Sequence, residues 1–295
     1  MVEHYSGSRK LFVTFNYVFL GCLALICILP LVNVLALSFS STSAIEQGRV
    51  TFWPVEFSTF AYEYIAQSKP FQASIWVSAQ RVFLGVGLNF VLTILTAYPL
   101  SRETEQFRFR TLYVWIFVFT MLFSGGLIPS YVLVKELGLL DSIWALVLPG
   151  AVPIFNVVLM LNFFRNLPKE LTEAALIDGA NHWKILWRIM VPLSLPAQAT
   201  VTLFAIVGHW NEWFHGLIYM NDPMHYPLAS YLQTVIIKYD LSTLSDPSML
   251  EIISKLNNRS IKASQIFLGA LPVLVLYPFL QRYFMSGIVL GSVKE

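Results

Sequence analysis

Long apolar segments separated by short polar ones run along nearly the whole chain. A helix that crosses the hydrocarbon core of a bilayer needs about 20 mostly apolar residues, because its backbone groups must find partners within their own segment. Six segments meet this requirement, so the pattern predicts an all-α membrane protein with six transmembrane helices. The six predicted spans cover residues 13–37, 82–100, 112–128, 143–163, 197–219 and 265–280.

The composition agrees with a membrane location and narrows the possible functions. Of the 295 residues, 56% are hydrophobic and only 12% are charged, which is roughly half the charged share of an average soluble domain. The formal net charge of +2 and the absence of a long basic run exclude a nucleic-acid-binding protein. Cys22 and Cys27 have no cysteine or histidine neighbours at metal-ligand spacing, so they predict packing or lipid contact and no metal site.

The distribution of Lys and Arg predicts the orientation in the membrane. Arg9 and Lys10 precede the first apolar segment, which is too long for the core of a signal peptide and therefore predicts a retained span. With a cytoplasmic N-terminus, eleven basic residues lie inside and eight outside, and four of those eight fall in the long segment after Tyr219, where the rule is weaker. We expect both termini to lie on the cytoplasmic side of the cell membrane.

The segment between the fourth and fifth predicted spans, residues 166–196, has a helical pattern of its own. Asn166 is a candidate N-cap for a helix that Pro168 helps to initiate, and Gly179 supplies a stop where a positive φ is cheap. A second short helix is predicted over residues 182–190, ending before Pro192. The pattern alone leaves two interpretations open: a compact projection that docks into a partner, or an amphipathic pair of helices on the membrane surface.

Several motifs in this segment and elsewhere resemble those of a known family. Glu173-Ala174-Ala175, Asp178-Gly179-Ala180, Ile189 and Pro192 are similar to the EAA loop of permease subunits of ATP-binding-cassette (ABC) importers. The resemblance covers nearly the whole chain and points to the carbohydrate-uptake, maltose-type permeases, in particular the branch that handles complex oligosaccharides. Arg81 departs from it, because relatives usually carry a small or hydroxyl residue there. Further segments that carry the resemblance are residues 57–62, 123–129 (FSGGLIP), 138–140, 210–213 (WNEW) and 277–294.

The resemblance implies a fold and an assembly. The fold is that of a type I ABC importer permease (MetI-like), a single transmembrane domain over residues 1–295 with a cytoplasmic coupling helix. Its parts are an N-terminal span at 13–37, a five-helix core at 82–280, the coupling loop at 166–196 and an extracytoplasmic loop at 221–262. The implied partners are an ATPase dimer, a second homologous permease, an extracytoplasmic solute-binding protein, a carbohydrate substrate and membrane lipid. No cofactor is expected in this chain, since ATP and Mg²⁺ belong to the ATPase.

The same resemblance assigns residues to the contact with the ATPase. Glu173 is the residue expected to pair with a basic group of the ATPase, and Gly179 is expected to permit the turn that follows. Asp178 has an equally good alternative role, because an aspartate before a glycine often bonds to the local backbone. The full set of predicted coupling residues is Glu173, Ala174, Ala175, Asp178, Gly179, Ala180 and Pro192.

Two further groups of residues are candidates for contact with the solute and with the binding protein. A charged side chain at mid-membrane costs about 3 kcal/mol, so Glu212 and the neighbouring His209 should face protein or a water-filled path. Trp210, Asn211 and Trp213 beside Glu212 suit a sugar, although aromatic residues also gather at membrane interfaces. The segment 221–262 has a helix predicted at about 228–238, and the resemblance implies that it contacts the binding protein; the alternative is a solvated outer cap on the bundle. Its candidate contacts are Asn221, Asp222, Tyr226 and Tyr231.

Other functional classes fit the sequence less well. It contains no phosphate-binding G-x-x-x-x-G-K-[ST] loop, no H-E-x-x-H motif and no cluster of carboxylates within spans, so we expect a transport subunit and no catalytic residues. An ion-coupled secondary transporter is the main alternative, but the sequence shows neither inverted repeats nor enough charge within its spans. A third possibility is an ABC permease for a non-sugar solute such as glycerol phosphate or a polyamine.

Overall fold

The computed structural model describes the backbone of residues 7–237 and 259–292, and the side chains of residues 8–234 and 259–278. Within these ranges the regular secondary structure is helical, apart from one isolated antiparallel bridge between Ser40 and Phe57. A π-helical turn covers Leu186–Met190, and 3-10 turns cover Leu148–Gly150 and Pro223–His225. The α-helices are α1 Gly7–Ser38, α2 Thr42–Glu46, α3 Phe60–Gln67, α4 Lys69–Ser101, α5 Arg110–Leu122, α6 Leu127–Glu136, α7 Ile143–Val147, α8 Ile154–Asn166, α9 Lys169–Ile177, α10 His182–Ile185, α11 Val191–Leu193, α12 Leu195–Asn211, α13 Phe214–Tyr219, α14 Leu228–Ile237 and α15 Arg259–Ser292.

The helices divide into two units, the first comprising residues 1–68 and 234–271. In this unit the end of α1 and the short helix α2 share a small core of Ala36, Ala44, Ile45 and Val50. The Ser38 hydroxyl lies 2.8 Å from the Tyr62 hydroxyl in α3. Most apolar side chains in the earlier part of α1 are exposed. Exposed apolar surface along a whole helix is suited to lipid or to another apolar helix.

The second unit, residues 69–233 and 272–295, is built around α4. This helix packs against α8 and α12. Their shared core also receives side chains from α9, α10 and the π-helical turn, so the segment 169–190 is anchored to the bundle and does not lie apart from it. The buried residues of this core are Ile94, Ala97, Tyr98, Leu100, Val157, Met160, Leu161, Phe164, Ala175, Ile185, Leu186 and Met190.

Among the described residues, three helices are long and apolar enough to cross a membrane without interruption: Ser8–Ser38, Lys69–Ser101 and Arg259–Pro278. Three further spans arise only if bent helix pairs are each counted as one. Their bends are 110° between α5 and α6, 46° between Ile143–Gly150 and α8, and 83° between His182–Leu193 and α12. The six predicted spans therefore fit the structure, three of them as bent helix pairs.

The interruptions have local causes. The predicted span 112–128 breaks between Leu122 and Leu127, where Gly126 has φ +86°. The predicted span 143–163 breaks before α8, where Pro153 cannot donate a backbone hydrogen bond. The predicted span 197–219 ends at Asn211, and a separate short helix, α13, follows it. Hydropathy averaged over 20 residues does not register such breaks.

Candidate functional site

The segment 166–196 forms the predicted two-helix projection. Helix α9 ends at Ile177, and Gly179 has φ +75°, a value that L-residues adopt at a cost. The backbone N–H groups of Gly179 and Ala180 donate to the carbonyls of Leu176 and Ala175 at 3.0 and 2.9 Å, which closes the turn. The glycine therefore has the predicted position and conformation.

Two details of this projection differ from the prediction. Asn166 is the last residue of α8, and Pro168 occupies the N-cap position of α9, because only Leu167 and Pro168 lie between the two helices. The second helix does not end before Pro192, since α11 continues it to Leu193. Pro192 lies just after the π-helical turn and at the start of α11, where a missing backbone N–H is tolerated.

The predicted coupling residues lie on different faces of the projection. Ala175 is buried in the core shared with α4 and α8, and Ala180 is packed beside it. Glu173 and Asp178 are exposed, and the carboxylates of both accept no hydrogen bond from a described residue. The local backbone bond considered for Asp178 is therefore not formed in the described part of the chain. Ala174, Gly179 and Pro192 are also exposed.

The exposed edge of α9 combines charge and apolar surface. Ile177 is 87% exposed, and Leu171 and Leu176 are also exposed. Below this edge, the Tyr98 hydroxyl of α4 lies 3.1 Å from Nδ1 of His182 in α10, and the two rings meet edge to face. A partner protein docked on α9 would therefore act on a segment that is packed directly against the membrane-crossing helix α4.

Glu212, at the end of α12, is the centre of a polar cluster. Nη2 of Arg81 lies 2.6 Å from Oε2 of Glu212, and Nη1 donates to the Glu212 carbonyl at 2.8 Å. The backbone N–H of His215 donates to Oε1 of Glu212 at 3.0 Å. The Arg81 side chain is only 2% exposed and that of Glu212 28%. Each charge thus meets its opposite, which confirms that Glu212 faces protein.

A second set of polar groups lies next to this ion pair. Nε2 of His209 is 2.9 Å from Oδ1 of Asn89, whose Nδ2 donates to the carbonyls of Gly150 and Ala151 at 2.8 and 2.9 Å. Gly85 in α4 leaves room for the His209 ring, because a Cβ atom there would lie 2.5 Å from it. These bonds tie α4 and α12 to the break before α8.

The two polar sets line one cavity of about 310 Å³. Of the four candidates for the translocation path, only Glu212 lines it. Trp210 is half-buried, Asn211 and Trp213 are exposed, and the Trp213 carbonyl accepts a hydrogen bond from Ser230 at 2.6 Å. Sequence reasoning did not include Arg81, Asn89, Asn156 or His215 among the path candidates. The signal that finds them is the same for all four: a polar side chain within or beside an apolar span.

The segment after α13 is held by Asp141, a residue with φ +58° between α6 and α7. Its Oδ1 accepts hydrogen bonds from the backbone N–H groups of Asn221 and Asp222 at 3.0 and 3.4 Å, and lies 3.0 Å from Nδ1 of His225. Asn221 and Asp222 are exposed, whereas Tyr226 is half-buried. The backbone at Asn221 and Asp222, two of the four predicted binding-protein contacts, is therefore held by one carboxylate.

Tyr231, the fourth of these candidates, lies in α14. It is half-buried and meets Phe71 edge to face at 6.0 Å between ring centroids. The predicted helix at 228–238 is present as Leu228–Ile237. Residues 238–258, half of the predicted extracytoplasmic loop 221–262, lie outside the described residues.

An Asp141→Ala variant should loosen the segment 220–226. Three hydrogen bonds worth roughly 1 kcal/mol each are lost, so amide hydrogen exchange in this segment should become about a hundredfold faster. Exchange measured by mass spectrometry on the detergent-purified chain would show it. Glu136→Gln, at an exposed carboxylate in α6 without a hydrogen bond to a described residue, is the control. Equal exchange in the two variants would contradict the role given to Asp141.

The same contact should depend on pH. Partial burial by itself raises the pKa of the Asp141 carboxyl, but hydrogen bonds from His225, Asn221 and Asp222 outweigh it and hold that pKa below its usual value. Because the pKa is depressed in the folded state, the stabilisation is complete above the unfolded-state value of about 3.9 and is lost as pH falls through the folded-state value. We expect protection of the segment, corrected for intrinsic exchange, to be constant from neutral pH down to about pH 4 and to fall below it.

The chain is similar to known transport proteins over its full length. The family model described as "Binding-protein-dependent transport system inner membrane component" matches residues 89–290. Protein LplC of Bacillus subtilis (strain 168) is 39% identical over 291 residues, covering 99% of this chain and 97% of the relative. The polygalacturonan/rhamnogalacturonan transport system permease protein YtcP of the same organism is 40% identical over 287 residues, covering 97% and 99%.

A solved structure gives the same result for the fold. A chain of a bacterial ABC transporter involved in the import of the acidic polysaccharide alginate superposes with a TM-score of 0.85 and 31% sequence identity. The match covers 96% of this chain and 100% of that chain. The type I importer permease fold expected from the motifs is confirmed.

Proposed function

Because this chain belongs to the family of inner membrane components of binding-protein-dependent transport systems, we propose that it carries an oligosaccharide, with an acidic, uronate-containing chain as the favoured substrate. It is a permease subunit of an ABC importer and not an enzyme. One observation carries the choice of substrate: YtcP, named for polygalacturonan and rhamnogalacturonan transport, matches over almost the whole of both chains. The alginate importer, at 31% identity, agrees with it.

The remaining parts of the assembly follow from this function. A second permease completes the path, a solute-binding protein delivers the sugar from outside, and an ATPase dimer that holds ATP and Mg²⁺ docks against α9. In this arrangement both chain termini and the segment 166–196 lie in the cytoplasm, as the Lys and Arg bias favours. An ion-coupled transporter would give the exposed α9 projection no role.

The packing of α9 supports a mechanism of alternating access. ATP binding closes the ATPase dimer and moves α9. Since Ala175 is buried in a core with residues of α4 and α8, and His182 contacts Tyr98, that movement is passed to the helices that line the Glu212 cavity. The path then opens toward the loaded binding protein. Interiors this closely packed transmit displacement instead of absorbing it.

Co-purification tests the docking role of α9. A Gly179→Val variant places a β-branched residue at φ +75°, which should distort the turn after α9 and reduce recovery of the ATPase with the tagged chain, while the second permease is retained. Gly48→Val is the matched control, because Gly48 is exposed at φ +70° and lies far along the chain from α9. Equal ATPase recovery in the two variants would contradict docking at α9.

Uptake into proteoliposomes tests the substrate. The complete importer with its binding protein should accumulate labelled oligogalacturonate, and unlabelled oligogalacturonate should compete better than maltodextrin of the same length. Accumulation of the neutral oligosaccharide alone would overturn the acidic substrate and leave the ABC permease assignment intact.

A further inference from the structure

A basic cleft lies beside α9, away from the Glu212 cavity. It encloses about 430 Å³ between the end of α4, the end of α8 and one side of α9. Four cationic side chains line it, those of Arg102, Arg110, Arg165 and Lys169. None of these residues belongs to the predicted coupling set, and the transport mechanism above makes no use of them.

The charges in this cleft do not balance. Its only acidic lining residues are Glu103 and Glu173, and the Glu103 carboxylate is already paired with Lys169. Three arginines therefore share the cleft with one further carboxylate, which accepts no hydrogen bond from a described residue. An excess of two positive charges in a concave site attracts a small anion.

Arg102 shows most clearly that a partner is missing from the chain itself. Its Nε and Nη2 atoms are buried and have no hydrogen-bond partner among the described residues. Nη1 makes one long contact, 3.4 Å to Oγ1 of Thr172, and the guanidinium stacks over the Tyr98 ring at 4.3 Å. The guanidinium is thus held in place with two N–H groups unsatisfied. An oxyanion would satisfy both through a forked pair of hydrogen bonds.

The rest of the lining indicates what kind of molecule carries the anion. Leu167 and Leu176 supply apolar surface next to the arginines, and Phe164 and Met190, each 3% exposed, border the same side of the lining. The cleft also lies where α4 and α8 end, at Ser101 and Asn166, and a helix that crosses a bilayer ends at the lipid headgroups or beyond them. A basic pocket between membrane helices with adjacent apolar surface fits a phospholipid headgroup and the first part of its acyl chains.

We propose that this cleft binds the phosphate group of an anionic phospholipid such as phosphatidylglycerol. The phosphate accepts hydrogen bonds from Arg102, with Arg110 and Arg165 supplying further charge. A lipid in this position connects the end of α4 to α9 and so stabilises the position of the coupling segment. The site rests on the fold and on the position of the helix ends, and not on which solute the importer carries.

Native mass spectrometry of the detergent-purified importer tests the site. Phosphatidylglycerol and phosphatidylcholine with identical acyl chains are added in turn, and inorganic phosphate is added as a third ligand. Wild-type protein should retain phosphatidylglycerol, and Arg102→Gln and Arg165→Gln should each weaken that binding about tenfold, since each removes a charged donor. Arg165 is exposed and makes no hydrogen bond to a described residue, so its loss should leave folding intact.

Arg108→Gln is the matched control. Arg108 lies, like Arg102, in the connection between α4 and α5. It is exposed, like Arg165, but it does not line the cleft. Equal weakening by Arg108→Gln and Arg165→Gln would overturn the proposal, as would equal retention of the two lipids. Binding of inorganic phosphate in place of the lipid would assign the cleft to a free anion. Lipid binding that appears only after the ATPase is removed would show the cleft to be a protein interface, which also overturns the lipid site.

Discussion

Reversing the charge of Glu173, in a Glu173→Lys variant, is expected to lower solute uptake about a hundredfold, a loss of about 2.7 kcal/mol in coupling. The side chain is exposed and no described residue depends on it for a hydrogen bond, so the chain should still fold and enter the membrane. A lysine there faces the basic group of the ATPase that Glu173 is predicted to meet, and like charges at an interface cost several kcal/mol. Uptake by intact cells and ATPase recovered with the tagged permease are the two measurements.

Glu105→Lys is the control for this prediction. Glu105 is an exposed carboxylate in the connection between α4 and α5. It does not line the basic cleft and does not belong to α9. It introduces the same change of charge on the same chain, so any general effect on insertion or solubility should be shared. Normal uptake by Glu173→Lys would remove Glu173 from the coupling role. Restored uptake on reversing a basic residue of the ATPase would identify its partner.

The coupling segment was the part of the site that the sequence predicted best, because its signals are local. A proline before α9 and a glycine after it define a helix within about ten residues, and Gly179 has the positive φ that its position implied. The assignment of Asn166 failed for an equally local reason: α8 runs one turn further than its hydropathy suggests. The burial of Ala175 beside the exposed Ala174 depends on the packing of α4 and α8, which the helical pattern does not contain.

The hydropathy pattern from which the six spans are predicted does not register the breaks within them. Gly126 and Pro153 lie inside segments that a hydropathy window treats as uniform, since neither residue lowers the average much. An interrupted span is better predicted in two steps. The residues that interrupt backbone hydrogen bonding are located first, and the apolar segment on each side is then tested for enough length to form a helix.

The polar cluster could be anticipated in kind but not in detail. Glu212 was expected to face protein, since an unpaired carboxylate in a span is costly. Its partner Arg81 lies 131 residues away, and no local pattern connects the two. From the sequence, Arg81 is only a departure from the family, yet an arginine in one helix and a glutamate at the end of another helix of the same bundle are natural counter-ions. The cost of an unpaired charge thus predicts that Glu212 has a partner. Which residue is the partner depends on tertiary packing, which the sequence pattern does not show.

Replacing Glu212 should destabilise the bundle more than replacing its partner Arg81. Glu212→Gln leaves the Arg81 guanidinium buried and without a counter-charge, which costs about 3–5 kcal/mol. Arg81→Met removes the buried charge and leaves Glu212 partly exposed with the donors of His215 still in place, at a cost of about 1 kcal/mol. Thermal unfolding of the purified chain in detergent should show a Tm about 5–10 °C lower for Glu212→Gln and a much smaller decrease for Arg81→Met.

The double variant separates this explanation from simple loss of contacts. If the penalty in Glu212→Gln comes from an uncompensated charge on Arg81, adding Arg81→Met must restore most of the stability, because no charge then remains buried. Additive losses would instead show that the two side chains stabilise the bundle independently. Glu136→Gln, which neutralises an exposed carboxylate in α6, should leave Tm within about 1 °C of wild type and so excludes a general effect of net charge.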